Sequence, residues 1–195
     1  MKPLALLVSG APASGKTTLG AAAAEHCSAA LLDLDVLTGP MVERLGVALD
    51  DPCVREARYA ALLDTALDTV RIGTSAVLVA PFTAERTDLR LWSATADRIR
   101  AAGADPVLVW VDCPPELILE RMRGRAAPRD SGTLADPAKL LAARPIEPIG
   151  PHVRVDATRP VAAQLAALDR HLRSGREQAC AQATSRSTTW PPRPE

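Results

Sequence analysis

Gly10-Ala11-Pro12-Ala13-Ser14-Gly15-Lys16-Thr17 has the spacing Gly-x-x-x-x-Gly-Lys-Ser/Thr, the pattern of a loop that wraps phosphates. Its two glycines let successive backbone N–H groups turn inward toward an anion. A helix that follows adds the partial positive charge of its N-terminus. Gly10, Ala13, Ser14 and Gly15 are therefore expected to meet a nucleotide through the loop, and Thr18 through the first helical turn. Lys16 can reach the terminal phosphates, and the Thr17 hydroxyl can ligate Mg²⁺. The nucleotide expected is ATP, with GTP not excluded.

A short way downstream comes Leu31-Leu32-Asp33-Leu34-Asp35. Placed at the end of a strand, carboxylates at i and i+2 share a face and point at one site. Beside a magnesium nucleotide they have separate tasks. Asp33 suits a metal-bound water. Asp35 suits an acceptor hydroxyl, which it can orient and deprotonate. An absence points the same way. Val77-Leu78-Val79-Ala80 runs into Pro81-Phe82 with no acid, where motor and switch ATPases carry one for metal or water. That weakens hydrolysis and favours transfer to another molecule.

Phosphoryl transfer also needs cations over oxygens that share a developing charge. Arg121, Arg125 and Arg129 recur every four residues, in a segment read as a helix beginning near Pro115. Arg121 is placed to stack on the nucleotide base. Arg125 or Arg129 can swing over the phosphates as catalytic cations beside Lys16. Further on, Asp156-Ala157-Thr158-Arg159-Pro160 opens the last helix. Thr158 or Asp156 reads as its N-cap with Pro near the first turn, which puts Thr158 and Arg159 near the base.

The elements that must hold these residues are legible as a rhythm. Leu4–Val8, Ala30–Asp33, Ala76–Ala80, Val107–Val111 and Val153–Asp156 are near-continuous apolar runs, as in strands covered on both faces. Helical patterns separate them: Thr17–Cys27, then the stripes Tyr59/Leu63/Leu67/Val70, Leu89/Trp92/Ala96/Ile99 and Val161/Leu165/Leu168/Leu172. Alternation of this kind predicts a mostly parallel sheet wrapped by helices on both faces. The domain is expected over residues 1–173. An acceptor-binding insertion falls at about 38–60 and an arginine-rich lid at about 121–145. Residues 174–195 read as a flexible tail.

Composition narrows the partners. The chain has 195 residues and a formal net charge of +0, with Lys+Arg 23 against Asp+Glu 23. Long nucleic acid is not expected, because binding it normally takes a basic excess. No apolar run reaches the ~18 residues of a membrane span. The four cysteines form no Cys-x-x-Cys pair and no signal peptide precedes the first strand, so reduced thiols and a cytoplasmic location are expected. The partner expected is a small-molecule acceptor, and the protein a monomer or homodimer.

With those residues in view, the sequence resembles the small P-loop kinases, and among them the gluconate and shikimate kinases. "LDLDVL" followed by "PMVERLGVALDD", and "VAPFTAERTDLR" after the third strand, are similar to the gluconate kinase segments. The resemblance implies a three-layer α/β fold with a five-stranded parallel sheet in order 2-3-1-4-5. It implies Lys16 and Thr17 on nucleotide and Mg²⁺, Asp33 near the metal, Asp35 as base, Arg121 by the adenine and Arg125 or Arg129 in the lid. Val36-Leu37-Thr38-Gly39 departs from the pattern: the His of gluconate kinases is missing, and Thr38 stands where polynucleotide 5′-kinases place an Arg. Arg55, Arg58 and Arg86 are candidate acceptor contacts, with Phe82 beside them. The activity expected is phosphorylation of a sugar, sugar acid or antibiotic-like metabolite. The alternatives are a nucleoside, nucleotide or polynucleotide kinase, or a nucleotide-binding regulatory module.

Overall fold

The computed structural model describes residues 2–127, 130–142 and 146–186, with side chains described through Ser174. Its strands are β1 (Leu4–Gly10), β2 (Ala30–Asp33), β3 (Ala76–Val79), β4 (Asp105–Asp112) and β5 (Val153–Asp156). The helices are α1 (Lys16–Cys27), α2 (Leu34–Leu45), α3 (Pro52–Arg71), α4 (Thr83–Thr87), α5 (Leu89–Ala101), α6 (Pro115–Arg125), α7 (Ser131–Ala135), α8 (Pro137–Ala142) and α9 (Val161–Arg186). All strand pairs are parallel, as the alternating pattern implied, and their order β2-β3-β1-β4-β5 is the one the family resemblance implied.

The period-2 geometry of a strand explains why the chain folds into three layers. Leu4, Leu6 and Val8 of β1 face one way and pack with Leu19 and Ala23 of α1, Ile118 and Met122 of α6 and Leu168 of α9. Ala5 and Leu7 face the other way and pack with Leu62, Leu67 and Val70 of α3 and Trp92 and Ile99 of α5. Both faces are apolar, so β1 reads as an unbroken hydrophobic run.

Two stretches of the expected domain plan are helical. The segment 38–60 is mostly helix, because α2 starts directly at the end of β2 and α3 begins at Pro52 with Asp51 as its cap. Helix α9 continues to Arg186, past the boundary expected at residue 173. Residues 187–195 lie outside the described residues.

One close approach fixes α1 on the sheet. A Cβ at Gly20 would lie 2.4 Å from Val79 Cγ2. Val79 is buried and stiff at χ1, so it cannot yield cheaply. Ala in a helix is normally better than Gly by about 1 kcal/mol. Here Gly20→Ala is expected to lower stability by about 1–3 kcal/mol, the usual range for an overpacked core. A urea midpoint above wild type would show that α1 moves off the sheet without cost.

Candidate active site

The phosphate loop lies between the last residue of β1 and the first of α1. Gly15 has φ 102°, a left-handed conformation that favours glycine. A Cβ at Gly10 would come 2.6 Å from Ser14 Oγ, so both glycines keep the loop bare. The Ser14 N–H donates to the Ala11 carbonyl at 3.2 Å. Lys16 Nζ donates to the same carbonyl at 2.7 Å, which lays the lysine back over the loop. Burial lowers the Lys16 pKa from 10.5 to about 8. Asp35 and Asp33 oppose that fall, while Arg86 and Arg125 add to it. A cation short of solvation above a cradle of N–H groups is chemically matched to a polyphosphate.

Thr17 Oγ1 donates to Asp33 Oδ2 at 3.1 Å. These two hard oxygen ligands suit Mg²⁺, which takes one or two protein groups and fills its octahedron with phosphates and water. Among the described residues no group of three or more His, Cys, Asp or Glu could hold a metal by itself. The residues present therefore fit a metal that arrives with its nucleotide.

The acidic pair is arranged differently from the expectation of one strand face. β2 ends at Asp33, whose Oδ1 accepts from the N–H groups of Asp35 at 2.9 Å and Val36 at 3.4 Å. Asp33 is thus the N-cap of α2, and Asp35 sits in that helix's first turn. Both still line the same cleft. Asp35 Oδ1 accepts from Arg58 Nη2 at 2.8 Å. Arg58 Nε in turn donates to Thr38 Oγ1 at 2.7 Å, and Thr38 Oγ1 donates to the Leu34 carbonyl at 2.6 Å. Arg58 and Thr38 are buried. This chain of contacts joins α3 to α2 and aims the Asp35 carboxylate.

The other arginines have fixed partners. Arg121 Nη1 donates to the Ser14 carbonyl at 2.7 Å, and Nη2 to the Ala157 carbonyl at 2.9 Å. Its guanidinium ties the phosphate loop to the segment after β5. It still borders the cleft. Arg125 donates to buried Asp130 with two nitrogens, Nη2 at 2.6 Å. Arg129 lies outside the described residues. Asp156 Oδ1 accepts from the N–H of Thr158 at 2.9 Å and its hydroxyl at 2.6 Å. That closes a turn before α9, whose first residue is Val161, so neither Asp156 nor Thr158 caps the helix. Arg159 borders the cleft; Thr158 is not part of its lining.

The cleft has a volume of about 1450 Å³ and continues from the loop toward Leu49, Arg55, Tyr59 and Glu85. Arg55 and Arg58 line this half, whereas Phe82 and Arg86 stand behind its wall. Arg86 Nε donates to the Pro81 carbonyl at 3.2 Å, its Nη1 donates to the Ile146 carbonyl, and its guanidinium lies 4.6 Å from the centre of the Trp110 ring. Phe82 meets Tyr59 edge to face at 5.9 Å, and its N–H donates to the Tyr59 hydroxyl at 3.2 Å. Burial, the largest influence, pushes the Tyr59 hydroxyl up to about 12. Tyr59 and Glu85 were not singled out as site residues from sequence. Tyr59 reads there as one position of a core stripe, and Glu85 as a polar residue on a short helix.

A phosphate loop at the end of a central parallel strand, with a capped acid beside it, defines a nucleotide-binding fold of the small P-loop kinase type. The family model described as an AAA domain matches residues 6–145, and the chain belongs to that family. Among solved structures it is similar to a candidate kinase from Chloroflexus aurantiacus j-10-fl, with 26% identity and a TM-score of 0.68 over 90% of this chain and 99% of that one. It is also similar in fold to a gluconokinase from Sinorhizobium meliloti 1021, with 23% identity, TM-score 0.57 and 90% and 97% of the two chains covered. A third likeness in fold is to the APS kinase of Mycobacterium tuberculosis solved with AMPPNP and APS, with 16% identity, TM-score 0.65 and 88% and 98% covered. No curated protein sequence matches the chain. None of the described helices is long and apolar enough to cross a membrane.

Proposed function

We propose that the protein is an ATP- and Mg²⁺-dependent phosphotransferase that moves the γ-phosphate to a hydroxyl of a small molecule, in a reducing compartment such as the cytoplasm. One observation carries this reading. The Asp35 carboxylate, held by Arg58 at 2.8 Å, shares one cleft with Lys16 and Thr17, and that cleft extends past them toward Tyr59 and Glu85. A pure nucleotide binder needs neither an aimed carboxylate nor a second chamber.

In this scheme the loop N–H groups and Lys16 bind the polyphosphate, with Thr17 and Asp33 holding the metal. The metal would draw charge from the phosphate oxygens. Asp35 accepts the proton of the acceptor hydroxyl as the new P–O bond forms. Arg125 can add positive charge once it leaves Asp130. Catalysis is then mostly positioning and charge stabilisation.

The test is acceptor-dependent ADP formation with magnesium ATP and a panel of polyols, amino sugars, sugar acids and nucleosides. The expected result is ADP release that rises with one class and matches phosphate ester formed. Equal, slow ADP release with and without every acceptor would favour a regulatory module instead.

A further inference from the structure

We propose that Glu85 selects the acceptor: its carboxylate receives an ammonium or hydroxyl donor at the wall of the cleft, so the acceptor is an amino sugar or amino alcohol rather than a sugar acid. This rests on the phosphotransferase reading and narrows its substrate class.

Glu85 lies on α4 and lines the acceptor half of the cleft. Its Oε2 is buried and has no hydrogen-bond partner, a state shared among the described residues only by Ser14 Oγ. A buried acceptor atom without a donor is uncommon in a folded protein and costs free energy until a donor arrives. Burial, the largest influence, pushes the pKa of the carboxylate up, against the smaller pull of the residue's own backbone amide and the Thr95 side chain. A carboxylate placed this way is under-solvated and gains from an incoming donor.

Two nearby cations do not neutralise it, because they have other tasks. Arg58 is bound to Asp35 and Thr38. Arg86 is bound to the Pro81 and Ile146 carbonyls and stacked on Trp110. Arg55 is exposed on the cleft lining. Two of the three arginines expected to draw an acidic acceptor are thus spent, and Glu85 Oε2 remains without a donor. A second carboxylate brought against Glu85 meets like charge. An ammonium meets its counter-ion, and a hydroxyl meets an acceptor. A buried polar group of this kind rejects ligands that cannot satisfy it.

The test is calorimetry on the full chain with Mg²⁺ and a non-hydrolysable ATP analogue, using glucosamine, glucose and gluconate as probes. Turnover is measured on the same three. Wild type is expected to bind glucosamine most tightly and gluconate least. Glu85→Gln should weaken glucosamine at least 10-fold and narrow its lead over gluconate, with affinity for the analogue unchanged. Glu85→Asp, which keeps the charge, should retain the order at lower affinity and serves if the Gln variant fails to fold. Gluconate as the best ligand, an order unchanged in Glu85→Gln, or no binding of any probe would overturn the assignment. Binding in the expected order without turnover would instead remove the phosphotransferase reading and leave Glu85 as a recognition residue.

Discussion

Asp35→Asn is expected to reduce acceptor-dependent turnover by about 10²–10⁴-fold, the usual contribution of a positioned general base. The amide has nearly the shape of the carboxylate but cannot accept the hydroxyl proton. Its oxygen can still accept from Arg58 Nη2, which reaches Asp35 at 2.8 Å, so the link between α2 and α3 is kept. The contact between Thr17 and Asp33 at 3.1 Å does not involve the Asp35 side chain, and the phosphate loop loses only the support that Asp35 gives to the Lys16 charge. Affinity for ATP should therefore stay within about fivefold, since surface-exposed charge pairs are worth only ~1 kcal/mol or less. Rapid-quench turnover and nucleotide titration separate the two effects. Turnover near wild type in the variant would mean that Asp35 is not the base.

Lys16→Met should destroy function and raise stability together. Burial lowers the Lys16 pKa from 10.5 to about 8, so keeping this side chain charged at neutral pH works against folding. At about 1.4 kcal/mol per pKa unit the cost is on the order of 3 kcal/mol. Methionine fills the same channel without that charge. The sign follows from proton counting. Between about pH 8 and 10.5 the unfolded chain holds the Lys16 proton and the folded one has released it. Wild-type stability due to this residue therefore rises with pH across that window and is least below pH 8. The variant's advantage in urea midpoint should be largest at pH 7 and shrink toward pH 10. Its turnover should fall by about 10²–10³-fold, as when one donor to a developing charge is removed. In wild type, ATP affinity should weaken above about pH 8, because the lysine must regain its proton to meet the phosphates. A variant no more stable than wild type at pH 7 would show that Lys16 is not strained in the empty loop.

The phosphate loop was legible because its chemistry is local: the glycines, the lysine and the threonine are adjacent in sequence, and the strand and helix around them have clear periods. The sheet order was legible only through the family likeness. The mistaken geometry of the acidic pair has a short-range cause. Asp at a strand end and Asp as a helix cap look alike, and here the helix starts with no loop between. Arg86 was misleading for the opposite reason. What holds it is the Ile146 carbonyl and the Trp110 ring, and nothing near residue 86 announces either. Arg125 is an intermediate case, since its partner Asp130 stands close by in "RGRAAPRD" and could have been paired with it. Glu85 left no signal at all. Its buried Oε2 without a donor is a property of the packed structure.

The central place of β1 also bears on how the chain reaches this structure. Its register pairs Ala5 with Ala76 and Leu6 with Val107. The strand made first must therefore wait for partners made much later. Pairings across such distances close slowly, and until they do Leu4, Leu6 and Leu7, all buried in the end, have nothing to cover them. The phosphate loop hangs from that same strand, whose last residue, Gly10, pairs with Val111 of β4. A nucleotide that binds the formed loop and not the unfolded chain therefore holds this sheet together as well.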